Sequence, residues 1–257
     1  MNWKKYKDLP PGVKHDETYY IIGLDIGNES TGIAFFNLSE NTPEAIDLSG
    51  GYGKPSMPTV MQYIPETREW VYGEYAILNQ GAGTEITLSN LLARLGQREY
   101  FDVDGKSIRL TSILALFIKE ILGNVRNINP KAEIVGIVAA IPDKISNDAQ
   151  MELRQAFDLA GYAKELIALV PSRECVLAHY YRNQVPKKEK VLLLDYGSRC
   201  VRSGVYEVYE DSATALSNVF DERIGTGLLL DDVNDFFSEL YEGERADGFG
   251  QHISAFT

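Results

Sequence analysis

Short apolar blocks separated by polar turns run along most of the chain, and two of them share one pattern. Tyr19-Tyr20-Ile21-Ile22-Gly23-Leu24 is rich in β-branched and aromatic residues, the composition of a strand. Asp25 interrupts it, Gly27 follows, and Thr31–Phe36 is apolar again. The pattern predicts a β-hairpin over about 19–37, with an acid at its tip and Gly27 turning at positive φ. Val191-Leu192-Leu193-Leu194 leads in the same way into Asp195-Tyr196-Gly197, a polar turn and a second strand ending near Tyr206. The repeat predicts two related lobes, each offering one acidic tip to a common cleft. The separation is too long for a solenoid.

Between the hairpins the periodicity changes several times. Asn41-Thr42-Pro43 and Gly50-Gly51-Tyr52-Gly53 read as loops, and Met61–Ile64 as an extended segment pairing with Glu69–Gly73 across Pro65–Arg68. Glu74–Leu78 is patterned for one helical turn, and Ile86–Gly96 fits strand or helix equally. Asp104-Gly105 is a hairpin turn between Tyr100–Val103 and Lys106–Arg109. Over Thr111–Val125 the apolar residues Ile113, Leu114, Phe117, Ile118, Ile121 and Leu122 form one broad helical face, which predicts core packing. Ile134–Ala140 is a buried strand ended by Pro142. A helix capped by Ser146 or Asn147 runs to Ala160, with Gly161 as its stop, and Leu166–Val170 is the next strand. Arg173–Arg182 reads as a helix and Lys187–Lys190 as a solvated connection. Thr214–Asp221 is extended, and a Gly-rich turn at Ile224–Gly227 precedes a helix over about Leu229–Leu240.

Charge and composition narrow the class of partner. Hydrophobic residues make up 44% and charged residues 24%, as in soluble globular proteins. The net charge of −12 argues against nucleic acid, whose phosphates demand Lys and Arg, but leaves room for a nucleotide in a local site. Cys175 and Cys200 give neither a zinc spacing nor a disulfide framework, so a reducing cytoplasm is the expected location. No apolar run approaches the ~18 residues of a membrane span. Turn amides can form a concave anion site, and paired acids suit a hydrated divalent cation. Phosphate with magnesium satisfies both.

In order and spacing the motifs resemble the nucleotide-binding domain of the seventy-kilodalton heat-shock chaperones (DnaK type), within the actin-like ATPase and sugar-kinase superfamily. Gly23-Leu24-Asp25-Ile26-Gly27 resembles the first phosphate motif, and Asp195-Tyr196-Gly197 the second. Lys54–Val60 with Val71–Ala76 resembles the segment the chaperones place next. Ile141-Pro142, Asn147-Asp148-Ala149-Gln150 and Ala160-Gly161 form the most specific match, and Ile224-Gly225 resembles the glycine turn of the second lobe. The resemblance covers about 19–240. It implies an α/β fold of actin-like (ribonuclease-H-like) lobes: an N-terminal extension over 1–17, lobe I over 18–190, and the beginning of lobe II over 191–257. The chain is then expected to be a fragment or a reduced form. It implies ATP or ADP with Mg2+. Asp25 and Asp195 would hold the metal through waters, and Gly27, Asn28, Gly197, Ser198 and Arg199 would lie at the phosphates. Client proteins or co-chaperones would engage through further domains, with no role for nucleic acid or membrane.

The sequence departs from the chaperones where their catalysis is concentrated. Asn28 and Glu29 follow the first tip in place of a threonine, and Gly197-Ser198-Arg199-Cys200 replaces a glycine-rich series ending in threonine. The lysine position is Leu92, leaving Arg94 as the nearest cation. The glutamate–proline pair is Ser172-Arg173, leaving Glu174 as the nearest acid. Arg94 and Glu174 are therefore the candidate catalytic residues of a weak ATPase. The alternatives are a non-hydrolysing nucleotide sensor or interaction module of the same fold and, behind it, a sugar or acetate kinase. A second expectation concerns packing: the apolar strands around Val191–Leu194 and Val201–Val208 should be poorly covered.

Overall fold

A computed structural model describes residues 19–37, 42–49, 53–78, 86–183, 185–210 and 212–240. The extension expected over 1–17, the stretch 50–52 of the expected loop and the tail from Glu242 lie outside them. The chain divides into two compact units between Val185 and Pro186, a few residues ahead of the boundary expected at 190.

The first unit contains, in chain order, β1 (Tyr19–Ile26), β2 (Ser30–Asn37), β3 (Thr42–Ala45), β4 (Ser56–Pro58), β5 (Met61–Ile64), β6 (Glu69–Tyr72), α1 (Glu74–Leu78), β7 (Ile86–Leu88), β8 (Tyr100–Val103) and β9 (Lys106–Arg109). Then follow α2 (Leu110–Gly123), α3 (Val125–Ile128), β10 (Glu133–Ile141), α4 (Asn147–Leu159), β11 (Leu166–Pro171) and α5 (Ser172–Tyr180). Its main sheet has the order β11-β10-β1-β2-β3, with β4 also paired to β2. β10 is parallel to both β1 and β11, while β2 is antiparallel to β1, β3 and β4. Smaller sheets are formed by β6-β5-β7 and by β8-β9.

Alternation decides which face of β1 is buried. Tyr20, Ile22, Leu24 and Ile26 point into the core, and Asp25 falls on the opposite face. The same core takes in Ile113, Leu114, Phe117, Ile118, Ile121 and Leu122 of α2, with Leu153, Ala156 and Phe157 of α4. Fully burying each of the large side chains contributes ~1.5–3 kcal/mol, which anchors the sheet that carries the first tip. The Ser146 hydroxyl caps α4 by accepting from the Ala149 amide at 3.1 Å.

Several short elements differ from their expected form. Thr42 and Pro43 were expected to lie in a loop but begin strand β3, because β2 offers an edge and tertiary pairing overrides the turn-like Thr-Pro composition. Ile86–Gly96 resolves into strand β7 and a 3₁₀ turn over Leu92–Arg94. The long helix breaks at Asn124 into α2 and α3. The Asp104-Gly105 turn has both residues at positive φ, 53° and 72°, as a two-residue hairpin loop demands.

The second unit is a meander, β12 (Glu189–Tyr196), β13 (Val201–Tyr209) and β14 (Ser212–Asp221), followed by α6 (Thr226–Leu240). Tyr206, Val208 and Ala213 are buried, whereas Leu192 and Leu194 are 70% and 67% exposed and Val219 is 63% exposed. The expected poor cover thus holds for one face of β12 but not for the far end of β13. Among the described residues no helix is long and apolar enough to cross a membrane.

Candidate functional site

In the first unit β1 and β2 meet in register down to Ile26 and Thr31, so the turn spans four residues, 27–30. The Gly27 amide donates to the Ser30 carbonyl at 2.9 Å. Gly27 does not take the left-handed conformation expected of it. Its need for glycine is steric: a Cβ there would stand 2.6 Å from the Ser30 carbonyl oxygen. Asn28 lies half-buried within the turn and Glu29 is exposed. The turn is held from outside by the Thr59 amide, which donates to the Glu29 carbonyl at 2.8 Å, and by a buried hydroxyl pair between Thr31 and Thr59. Asp25, exposed, stands opposite Gly32 on β2 and Ala140 on β10.

Next to this tip lie the C-terminal ends of β10 and β11. In a parallel sheet this edge is where ligands bind. Arg173 Nε lies 2.9 Å from Asp143 Oδ2, both side chains nearly buried. Breaking such a pair by removing one partner costs about 3–5 kcal/mol. Glu174 follows in the first turn of α5, and burial raises its carboxyl above the ordinary range, with the Asp143 charge adding to the effect. The Cys175 thiol is pushed up to about 11, first by burial and then by the charges of Asp25, Glu174 and Asp143. One thiol therefore senses three acids from three different strand ends, and it is a poor nucleophile in that setting. Asp25 and Glu174 had been singled out in the sequence. Asp143, Arg173 and Cys175 had not. The available signal was a charged residue placed shortly after Ile141-Pro142 and again after Val170-Pro171.

In the second unit the turn has the same design. Tyr196 and Val201 close the register, and the Gly197 amide donates to the Cys200 carbonyl at 3.0 Å. Here the tip is docked on α6. The Thr226 amide donates to the Gly197 carbonyl at 3.2 Å and the Gly227 amide to the Ser198 carbonyl at 2.9 Å. These bonds explain why α6 begins at Thr226 rather than at Leu229: the tip carbonyls cap it. A Cβ on Gly225 would collide with the Ser198 carbonyl, so only glycine allows the approach. Arg199, expected at the phosphates, is ion-paired with Asp231 of α6 at 2.7 Å. Asp195 stands opposite Arg202, whose Nη1 lies 3.3 Å from its Oδ2.

Arg94 is also engaged. Its guanidinium donates to Glu99 and lies over the Phe101 ring, 5.0 Å from the centroid. Leu92 is part of the core. The segment is fixed from below by Glu152, whose carboxylate accepts from the Gly96 amide at 2.8 Å and from Arg109 at 2.6 Å. Among the described residues no three His, Cys, Asp or Glu side chains are grouped to ligate a metal directly. A hydrated magnesium needs only one or two carboxylates and keeps its waters, and exposed Asp25 fits that role. Asp195, ion-paired with Arg202, fits it less well.

Residues 42–220 match a family model described as the C-terminal part of a family of unknown function, DUF5716. The match takes in β3 to β14 and so includes the second tip, while the first tip precedes it.

Proposed function

The chain belongs to the DUF5716 C-terminal family, whose function is unknown, and we propose that it serves as the nucleotide-binding domain of a DnaK-like chaperone, taking ATP or ADP with magnesium in the cytoplasm. The observation that carries this reading is the repeated tip. Asp25-X-Gly27 and Asp195-X-Gly197 each close a β-hairpin with the same glycine amide to third-residue carbonyl bond. The strand order β11-β10-β1-β2-β3, an antiparallel meander beside two parallel strands, supports an actin-like, ribonuclease-H-like first lobe, and the meander followed by α6 supports the start of a second. The reading assigns magnesium, through waters, to Asp25 and Asp195, and phosphate to the turns at Gly27-Asn28 and Gly197-Ser198.

When bound, magnesium would neutralise phosphate charge. The chain's own residues supply little further catalysis. Leu92 carries no charge, Arg94 is committed to Glu99, and Ser172 stands in place of the acid that would orient water. Loss of one stabilising donor typically lowers a rate by ~10²–10³, so turnover is expected to be severely reduced while binding persists. Those three positions also favour the second reading, a nucleotide sensor without hydrolysis. Calorimetry of the full chain with Mg-ATP, alongside a phosphate-release assay, tests both. Saturable binding lost in Asp25→Ala supports the site, and turnover at an ordinary chaperone rate overturns the reduced hydrolysis. Turnover only with an added sugar or acetate acceptor identifies a kinase instead. Binding unaffected by Asp25→Ala and Asp195→Ala sinks the site.

A further inference from the structure

The first tip takes its orientation from a segment outside its own hairpin. The Gly27 amide is used within the turn, on the Ser30 carbonyl. The Glu29 carbonyl is gripped from outside, by the Thr59 amide at 2.8 Å. A peptide unit is planar, so drawing the Glu29 carbonyl toward Thr59 turns the Ser30 amide away from Thr59. The backbone of Thr59 thereby sets the direction of an amide in the turn. Its side chain adds a second grip: the Thr31 and Thr59 hydroxyls lie 2.8 Å apart, and both residues are fully buried.

Thr59 is itself held from two sides. Ahead of it, β4 pairs with β2 through Pro58–Ser30, Met57–Thr31 and Ser56–Gly32. Behind it, the Gly73 amide at the end of β6 donates to the Val60 carbonyl at 3.0 Å. Gly73 has a φ of 61°, and a Cβ there would stand 2.9 Å from the end of the Met57 side chain, so glycine lets the two segments close on each other.

Stability is a weak reason for two buried hydroxyls at this place. Replacing both partners of a buried hydrogen bond by apolar groups of the same shape is often nearly neutral, and valine has the shape of threonine. The second tip points to orientation instead. It closes with the same glycine amide bond, and its outside grip comes from the start of α6, through the Gly197 and Ser198 carbonyls. At the first tip the corresponding grip is Thr59.

Building on the nucleotide reading, we propose that Thr59 is a positioning residue of the first phosphate turn. Its amide and hydroxyl hold residues 27–30 in the orientation that meets the phosphates of the magnesium nucleotide. Because Thr59 is fully buried, it acts through the turn and touches no ligand.

The test is calorimetry on the full chain with two probes, Mg-ATP and magnesium pyrophosphate, with melting recorded in parallel. Thr31→Val/Thr59→Val removes both hydroxyls and orphans neither. It should melt close to the parent and bind about tenfold more weakly. Thr59→Ser keeps the hydroxyl and should bind within about threefold of the parent. The parent chain gives a readout that needs no substitution. Coupling is reciprocal, so saturating ligand should slow hydrogen exchange at the Thr59 amide, by about tenfold. Weaker binding in the double variant, recovery in Thr59→Ser and slowed exchange support the positioning role. A folded double variant that binds Mg-ATP as the parent does overturns it and leaves the nucleotide reading intact. Thr59→Ser binding as weakly as the double variant overturns it too, since packing and not the hydroxyl would then matter. If the double variant does not fold, exchange in the parent decides: slowing supports the role and no change overturns it. The expected pattern with pyrophosphate alone supports positioning and refutes the nucleotide. Binding of neither probe overturns both.

Discussion

The hairpins β1–β2 and β12–β13 close their turns with the same bond, yet what surrounds each tip differs. Asp25 faces Gly32 across the strand pair, and Asp195 faces Arg202. The first tip is braced by Thr59, which leaves the side-chain surface of Asp25 exposed. The second is clamped onto the start of α6, and its cation Arg199 is bound to Asp231. One turn thus carries an exposed acid, the other is a structural corner with an ion-paired acid. A repeated motif therefore fixes backbone geometry without fixing chemistry, because the residue directly across the strand sets the charge an incoming ion would meet.

Several measurements would break or sharpen that contrast. The largest effect is expected from Gly225→Ala, whose Cβ would collide with backbone from a distant segment. Overpacking against a backbone that has no room to move should cost ~3 kcal/mol or more, read by denaturant unfolding and by faster hydrogen exchange at the Gly227 amide. Gly27→Ala strains only its own turn and should cost less, ~1–3 kcal/mol. Equal losses would mean that the first tip is as clamped as the second.

Asp25→Asn should weaken magnesium-nucleotide binding by ~10–100-fold, the usual loss when a group orienting a metal's shell is removed. Asp195→Asn should do less, and Arg202→Met should bring Asp195 to parity. The reverse ranking would overturn the distinction between the tips.

A smaller effect is expected at Glu174. Its carboxyl titrates above the unfolded value because burial disfavours the charge, so the folded state gains stability as pH falls through that raised value. Glu174→Gln should melt higher than the parent at neutral pH, and the difference should vanish below the ordinary carboxylate range. A variant that melts lower at pH 7 would show that the charge is needed. The smallest effect belongs to the Asp221–Arg223 pair. Hydrogen bonds from Arg223 hold the Asp221 carboxyl down to about 2, so any contribution is present at neutral pH and lost as pH falls toward 2. The pair is exposed, and Arg223→Ala should leave melting at pH 7 unchanged.

Long periodic elements were legible in the sequence: α2 from its broad apolar stripe, α4 from its Ser146 cap, and both hairpins from their apolar runs. Among the short strands, those of the β5–β6 and β8–β9 hairpins were legible from their turns, whereas β3, β4 and β7, three or four residues each, were not, because they exist where a neighbour offers an edge. The repeat placed Asp25 and Asp195 near the ends of two hairpins, and the strand pairing puts them there. Arg199 and Arg94 carried the right charge, but their acid partners Asp231 and Glu99 were invisible to spacing that stops at the motif. The Asp143–Arg173 pair depends on the parallel register of β10 with β11, which is a tertiary fact. Gly27 was read as a glycine turning at positive φ, whereas what the turn lacks there is room for a Cβ beside the Ser30 carbonyl.

The parallel pairing of β1 with β10 carries a consequence for synthesis. β1 can hydrogen-bond to β2 and β3 almost as soon as they emerge, but its other edge waits for Glu133–Ile141. At ~5–20 residues per second, about a hundred residues of translation leave that edge open for roughly 5–20 s. During this interval a nascent meander presents unpaired amides and carbonyls beside Tyr20, Ile22 and Leu24, a template for pairing with a neighbouring chain on the same message. The strand on which the first tip is built therefore stays half-paired until β10 is made, and the yield of this protein should depend on how quickly the ribosome reaches residue 141.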